Sequence, residues 1–268
     1  MTTLLRRTTR FAVRQGGDGA PRGVNGYAGS PPMTGLSPYI ACTVECRGEP
    51  DPTSGYLINI KAIDDAVHEA VRPRLERAVS RPDAPDADPG ALLASSLRAL
   101  GQSLPVAITG LTLALSPYHA LSMTTDQPQL ATIQLRFDFA AAHRLHVAEW
   151  DEQTNRDYFG KCTNPNGHGH NYQLEVRVAV PAAALGRFST DALERTVNDT
   201  VINRFDHKHL NLDTAEFADG TGLIPTVENI ARVCYDLLTG PVSVLEAGAS
   251  LRSVRVWETD RTSSEYPA

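Results

Sequence analysis

Four apolar residues at helical spacing, Ile63, Val67, Val71 and Leu75, recur 130 positions later as Leu193, Val197, Val201 and Phe205. A spacing of four puts each set on one stripe of a helix, so the chain carries the same buried helix twice. The elements around the two helices also repeat in order. In the first half, strands near Thr8 to Arg14 and from Tyr39 lead to a helix from about Ala62, which Pro73 should kink or interrupt. A Pro-rich loop (Pro82, Pro85, Pro89), a second helix carrying Leu93, Leu97 and Leu100, and a strand Leu111–Leu115 follow. In the second half, a strand from about Ala131 to Ala142 passes through a polar loop into the strand Asn171–Val180. A helix capped near Ser189 and Thr190 carries Asp191 and Glu194 in its first turn. After the polar loop Asp206 to Ile224, Pro225 and Thr226 open a last helix, and the strand Leu251–Glu258 closes the unit. If each strand pair is a hairpin, both halves read ββααββ, an antiparallel α+β unit with helices on one face. The segment Ser122 to Pro128 reads as the linker, giving domains 1–125 and 130–268.

Charge separates the halves. The net charge of −6 argues against nucleic-acid binding, and residues 1–130 balance 12 basic against 12 acidic side chains while the remainder holds 13 against 19. No apolar run approaches the roughly 20 residues that span a bilayer, and the opening segment has no signal-peptide hydrophobic region, so a cytoplasmic protein without membrane contact is expected. Met1 to Arg10 is arginine-rich like a transit peptide but reads as a first strand. Four cysteines without a secretory signal predict reduced thiols. Cys42 and Cys46 fall in a strand and Cys234 at core spacing in a helix, which leaves Cys162 as the thiol in a polar, glycine-flanked loop.

That loop, Phe159-Gly-Lys-Cys-Thr-Asn-Pro-Asn-Gly-His-Gly-His-Asn-Tyr172, places a cysteine ahead of a His-x-His pair. In extended backbone alternate side chains share a face, so His168 and His170 can hold one ion together. His143, at the end of the preceding strand, is a third ligand. Three neutral imidazoles suit zinc and leave the fourth tetrahedral position for water or substrate, as in a catalytic site. The first half has Arg14 and Gln15 where the second has His143, and Gly35-Leu-Ser-Pro-Tyr39 where the second has the His-x-His segment, so it lacks these ligands. His68 and His119 are read as incidental, and His146 and His209 receive no role.

Phe139-Ala-Ala-Ala-His-Arg-Leu145, Gly160–Tyr172, Phe205-Asp-His-Lys-His-Leu-Asn211, Pro225-Thr-Val-Glu-Asn229 and Trp257-Glu-Thr259 together resemble the 6-pyruvoyltetrahydropterin synthase family, over residues 131–268. The related 6-carboxytetrahydropterin synthases tend to have three residues between cysteine and His-x-His; here there are five, which favours the pyruvoyl branch. The resemblance implies a tunnelling fold, in which ββααββ units associate into a barrel with helices outside. It weakens over residues 1–130, where Gly48–Ile60 resembles only one family segment, so the first half reads as a degenerate repeat fused to an active one.

The resemblance also implies a lyase with a pterin triphosphate substrate, 7,8-dihydroneopterin triphosphate, converted to 6-pyruvoyltetrahydropterin with loss of triphosphate. Zn2+ on His143, His168 and His170 would hold the side-chain hydroxyls, Cys162 would act as base, and Asp206 with His207 would relay protons. Glu258 matches the pterin anchor, where a carboxylate accepts paired hydrogen bonds from a guanidine-like edge, and Thr226 matches a further pterin contact. Plainer roles stand beside these: Asp206 closing a helix, His207 on a C-terminal carbonyl, Thr226 as an N-cap, Glu258 as a strand end. Lys161, Lys208 and Arg144 are candidates for the triphosphate. The rival functions are a 6-carboxytetrahydropterin synthase of the 7-deazapurine pathway and a non-catalytic pterin-binding or assembly protein. In the family the active sites lie between subunits, and a half lacking the ligands predicts a homo-oligomer, a trimer of double units with one ring of active halves stacked on one of degenerate halves.

Overall fold

Alternating burial along strands and a buried stripe along helices organise the chain, of which a computed structural model describes residues 2–13, 37–220 and 222–268. It divides into two compact units: Met1–Ile133 with Val180–Phe188, and Gln134–Ala179 with Ser189–Ala268.

In the first unit, β1 (Thr3–Ala12), β2 (Tyr39–Gly48), β3 (Ala107–Ala114) and β4 (His119–Thr124) follow one another as antiparallel neighbours. Between β2 and β3 run α1 (Ile60–Ala66), a π-helical turn Val67–Val71, α2 (Arg72–Ser80) and α3 (Pro89–Ser103). Phe11, Cys42, Val44, Leu111 and Leu113 are buried on the sheet, and Ile63, Val67, Val71, Leu75, Leu93, Leu97 and Leu100 on the helices. The first strand starts within the Met1 to Arg10 segment read as a strand and ends at Ala12, while Arg14 and Gln15 lie outside the described residues. The α-helix is interrupted just before Pro73, as expected there, by the π-helical turn that separates α1 from α2. The wider turn before it, closed by Arg72 N–H on the carbonyl of Val67, precedes the ring, and helical backbone continues to Ser80. The linker is also shorter than expected, because Ser122 and Thr124 belong to β4. They flank buried Met123 and pair with Thr112 and Gly110, so they are polar residues of a strand rather than of a loop.

Arg7 on β1 grips Asp64 of α1 through Nε (2.9 Å) and Nη2 (2.5 Å), and Thr9 Oγ1 donates to the same carboxylate at 2.7 Å. Burial raises the Asp64 pKa, but the bonds from Arg7 and Thr9 and the guanidinium charge outweigh it, leaving the group below the ordinary carboxylate range. A depressed folded pKa means stability that is present above the unfolded value near pH 4 and lost as pH falls through the folded one. Asp64→Asn, which mimics the protonated form, should cost about 1–3 kcal/mol at pH 7 and converge on the parent at low pH. Urea unfolding at both pH values reads this, and an equal difference at the two would refute it.

The second unit also begins with two strands and ends with two, with helices between. β5 (Leu130–His143) neighbours β6 (His168–Pro181), with α4 (Glu152–Phe159) and a 3₁₀ turn Gly160–Thr163 inside what the sequence presents as a plain polar loop. Then come α5 (Thr190–Val197), a π-helical turn Asn198–Ile202, α6 (Asn203–Phe205), β7 (Lys208–His209), α7 (Leu210–Asp213) and α8 (Val227–Ser243). β8 (Ser250–Thr259) pairs antiparallel with β6 and with β9 (Thr262–Tyr266), while β7 adds a short parallel pairing to β5. Leu193, Val197, Val201 and Phe205 are fully buried, as are Ile230, Cys234 and Leu238 of α8 and Leu174, Val176 and Val178 of β6. The π turn again sits within the repeated stripe, here with no proline beside it.

Candidate active site

The last residue of β5 and the first and third of β6 converge. His143 is fully buried, and the ligating nitrogens of His143, His168 and His170 lie within 4.8 Å of one another. Gly167 permits this approach. Its φ of 69° is in the left-handed region, and a Cβ there would lie 2.5 Å from His209 Nε2 and 2.9 Å from the His143 carbonyl oxygen.

Each imidazole is presented as a ligand. His143 Nδ1–H donates to the Pro225 carbonyl at 2.7 Å, which fixes the tautomer and turns Nε2 toward His168 Nε2, 3.1 Å away. Burial lowers the His143 pKa to about 4, so at neutral pH its ring is uncharged and has a lone pair to give. His170 Nε2 is buried without a hydrogen-bond partner. A buried nitrogen in that state is costly unless something accepts its lone pair, and this one, beside the facing Nε2 atoms of His143 and His168, fits a metal ion. No second group of this kind occurs among the described residues. Glu258, near the end of β8, brings Oε1 to 3.4 Å from His143 Nε2 and 3.6 Å from His170 Nε2, so it belongs to this centre and is not an exposed strand end.

Cys162 lies in the 3₁₀ turn before β6 and is half-buried, with its carbonyl accepting from Leu145 N–H at 2.8 Å. It lines a cavity of about 700 Å³ together with His168 and His170. Burial and then the charge of Glu258 push its thiol pKa up, so the protein groups alone do not make a thiolate. The other cysteines are buried, and burial raises Cys42 to about 12, in line with packing roles.

Asp206 and His207 sit elsewhere. Asp206 Oδ1 accepts from Ala140 N–H at 2.8 Å and Oδ2 lies 2.8 Å from His207 Nδ1; the Ala140 bond is the main reason its pKa is lowered. His207 is 83% exposed and is the one non-glycine residue with positive φ, 57°, among those described. It borders a shallow depression with Lys208 and His170, whereas Cys162 opens on the larger cavity. Within one chain the cysteine and the Asp-His pair therefore face different spaces. Thr226 Oγ1 caps α8 by accepting from Asn229 N–H at 3.3 Å and does not line the cavity.

Two buried asparagines to which the sequence assigns no role, Asn211 at the end of a family motif and Asn155 in a polar loop, hold these parts in place. Asn211 accepts from Arg144 N–H and donates to the Arg144 carbonyl and to Asp219, which ties the end of β5 to α7. Asn155 accepts from Val147 N–H and donates to three carbonyls, fixing the segment from His146 to Asp151. Asn211 acts on backbone 67 residues away, and Asn155 closes a local loop whose irregular spacing matches no helix or strand period.

The family model described as 6-pyruvoyl tetrahydropterin synthase matches residues 132–268. A relative from Homo sapiens, 6-pyruvoyl tetrahydrobiopterin synthase, is 37% identical over 139 residues, covering 51% of this chain and 90% of that one. The Drosophila melanogaster protein of the same name is 31% identical over 143 residues, covering 53% and 82%. Among solved structures, Caenorhabditis elegans 6-pyruvoyl tetrahydropterin synthase aligns with a TM-score of 0.46 at 28% identity, covering 51% of this chain and 94% of that one. The matched residues run through β5, β6, α8 and β8 and so include every imidazole of the cluster, Cys162 and Glu258; this chain belongs to the 6-pyruvoyl tetrahydropterin synthase family.

Proposed function

We propose that the chain is a zinc-dependent 6-pyruvoyltetrahydropterin synthase, a lyase that converts 7,8-dihydroneopterin triphosphate to 6-pyruvoyltetrahydropterin and releases triphosphate. The observation that carries this is one cavity that joins Cys162 to two of three clustered imidazoles, inside the residues that match the family. The all-imidazole donor set favours zinc, which when bound would act as a Lewis acid on substrate oxygens and as a counter-charge for a neighbouring thiolate. Cys162 then removes the carbon-bound proton, and His207, oriented by Asp206, relays protons at the substrate oxygens. Glu258 anchors the pterin ring, with Thr226 as a further contact.

Incubating the protein with 7,8-dihydroneopterin triphosphate and weighing the pterin product tests the reaction. A 6-pyruvoyl product with one triphosphate released is expected, and a 6-carboxy product would replace this reading with the 7-deazapurine branch.

The chain is further proposed to be a tandem pair of tunnelling-fold units, residues 1–125 being a degenerate repeat and 130–268 the active domain. Supporting this are the shared element order and the π-helical turns at Val67–Val71 and Asn198–Ile202, each inside the stripe that recurs after 130 residues. The separate spaces faced by Cys162 and His207 favour completion of each site by a second copy, in a homo-oligomer proposed to be a trimer of double units.

A further inference from the structure

We infer that Trp257, held by Arg136 and Arg255 on the face of the sheet away from the imidazoles, is the positioning residue for Glu258. The inference rests on the function proposed above, in which Glu258 anchors the pterin ring.

The strands that carry the site are cross-linked on the face it does not use. Along β6, His168 and His170 share a side with the buried Leu174 and Val176, while Glu175 and Arg177 point the other way. Glu175 is fully buried, and its carboxylate accepts from Gln134 Nε2 and Arg136 Nε of β5 and from Arg177 Nε, each at 2.8 Å. Arg177 Nη1 continues to Glu265 of β9 at 2.9 Å, and Glu265 also accepts from Ser253 Oγ (2.8 Å) and Arg255 Nε (3.0 Å) of β8. Two carboxylates with several donors each thus tie together β5, β6, β8 and β9.

Trp257 joins this network at the end nearest the site. The guanidinium carbons of Arg136 and Arg255 lie over its ring, 5.0 and 5.4 Å from the centroid. Each arginine is already fixed by a carboxylate, so the indole rests on cations that β5, β6 and β9 hold in place.

The next residue lacks such guidance from the sheet. The pairing of β8 with β6 stops at Trp257 with Gln173, and its pairing with β9 shifts register between Trp257 and Thr259. Glu258 is the residue inside that shift, and it has no partner in either pairing. An irregularity of this kind lets a strand re-aim one side chain, and here it sends the carboxylate to 3.4 Å from His143 Nε2. Trp257 is the last paired residue before the shift, so its clamp sets where the backbone of Glu258 starts.

The test uses zinc-loaded full-length protein and 7,8-dihydroneopterin, which has the ring without phosphate, as the probe in titration calorimetry, beside turnover of the triphosphate. Trp257→Leu should weaken the probe about tenfold and raise KM by a similar factor, with kcat and zinc content near those of the parent, because ring binding is common to ground and transition states. Trp257→Phe, which keeps a ring face for the two guanidiniums, should stay within about threefold of the parent. A loss of fold would add to any other loss, whereas positioning acts only through Glu258: in a Glu258→Gln background, Trp257→Leu should cost nothing further. Should urea unfolding show that Trp257→Leu does not fold, Arg255→Gln carries the same comparison, since it removes one cation over the ring and leaves Glu265 with Arg177 and Ser253. Parent-like probe affinity in these variants, or a tenfold loss that persists in the Glu258→Gln background, would overturn the inference. Probe binding that depends on Trp257 through Glu258, in a protein that yields no 6-pyruvoyl product, would leave the inference standing and remove the proposed reaction.

Discussion

His143→Ala should strip the protein of its metal and lower turnover by at least about a thousandfold, the scale on which a metal stabilises transition-state charge. His143 contributes more than one of three nitrogens. Its ring is fully buried, its Nδ1–H is spent on the Pro225 carbonyl, and burial keeps it neutral down to about pH 4. Its Nε2 is therefore pre-aimed, and a chain without it keeps only the less buried pair on β6. Metal analysis per chain and turnover are the readouts. Since removing a buried ring also opens a void, the same conclusion is approached without mutation by chelating the parent protein and restoring zinc. Full turnover in chelated, metal-free protein would dispose of the zinc proposal.

Cys162→Ala should lose about 10²- to 10⁴-fold in turnover, the range for a positioned acid–base group, with metal content unchanged because the thiol is not one of the clustered ligands. His207→Ala should be impaired by a similar mechanism from a different space, since His207 borders the depression that Cys162 does not reach. If a complete site draws these residues from two copies, co-assembly of equal amounts of the two variants pairs an intact Cys162 with an intact His207 in about a quarter of sites. Turnover should then rise well above that of either variant alone. A mixture no more active than its parts, or a protein that is monomeric by light scattering, would remove the shared site.

The imidazole cluster was legible in the sequence because two short-range rules produce it. Strand alternation puts His168 and His170 on one face, and a strand ending at His143 puts a third imidazole at the same level. The helical stripes were legible for the same reason, as all eight of their positions are buried. The failures share a cause as well. Ser122 and Thr124 looked like a linker because strand residues on a sheet's open face can be as polar as loop residues. The interruption expected at Pro73 takes the form of a π-helical turn just before it, but the same turn occurs in the second stripe without a proline, so the proline alone does not account for it. Helix α4 was missed inside a polar loop, since it buries only Asn155, whose work is to bond carbonyls.

By itself the sequence determined the periodicities and which residue types could serve as ligands, because these depend on spacing along the chain. Only the tertiary structure decided that Pro225 fixes the His143 tautomer, that Glu258 lies against the imidazoles, that Arg144 donates to the Thr163 carbonyl beside the Cys162 cavity, and that His207 faces another space. Each of these joins or separates residues in a way that distance along the chain does not fix, and packing in three dimensions sets it.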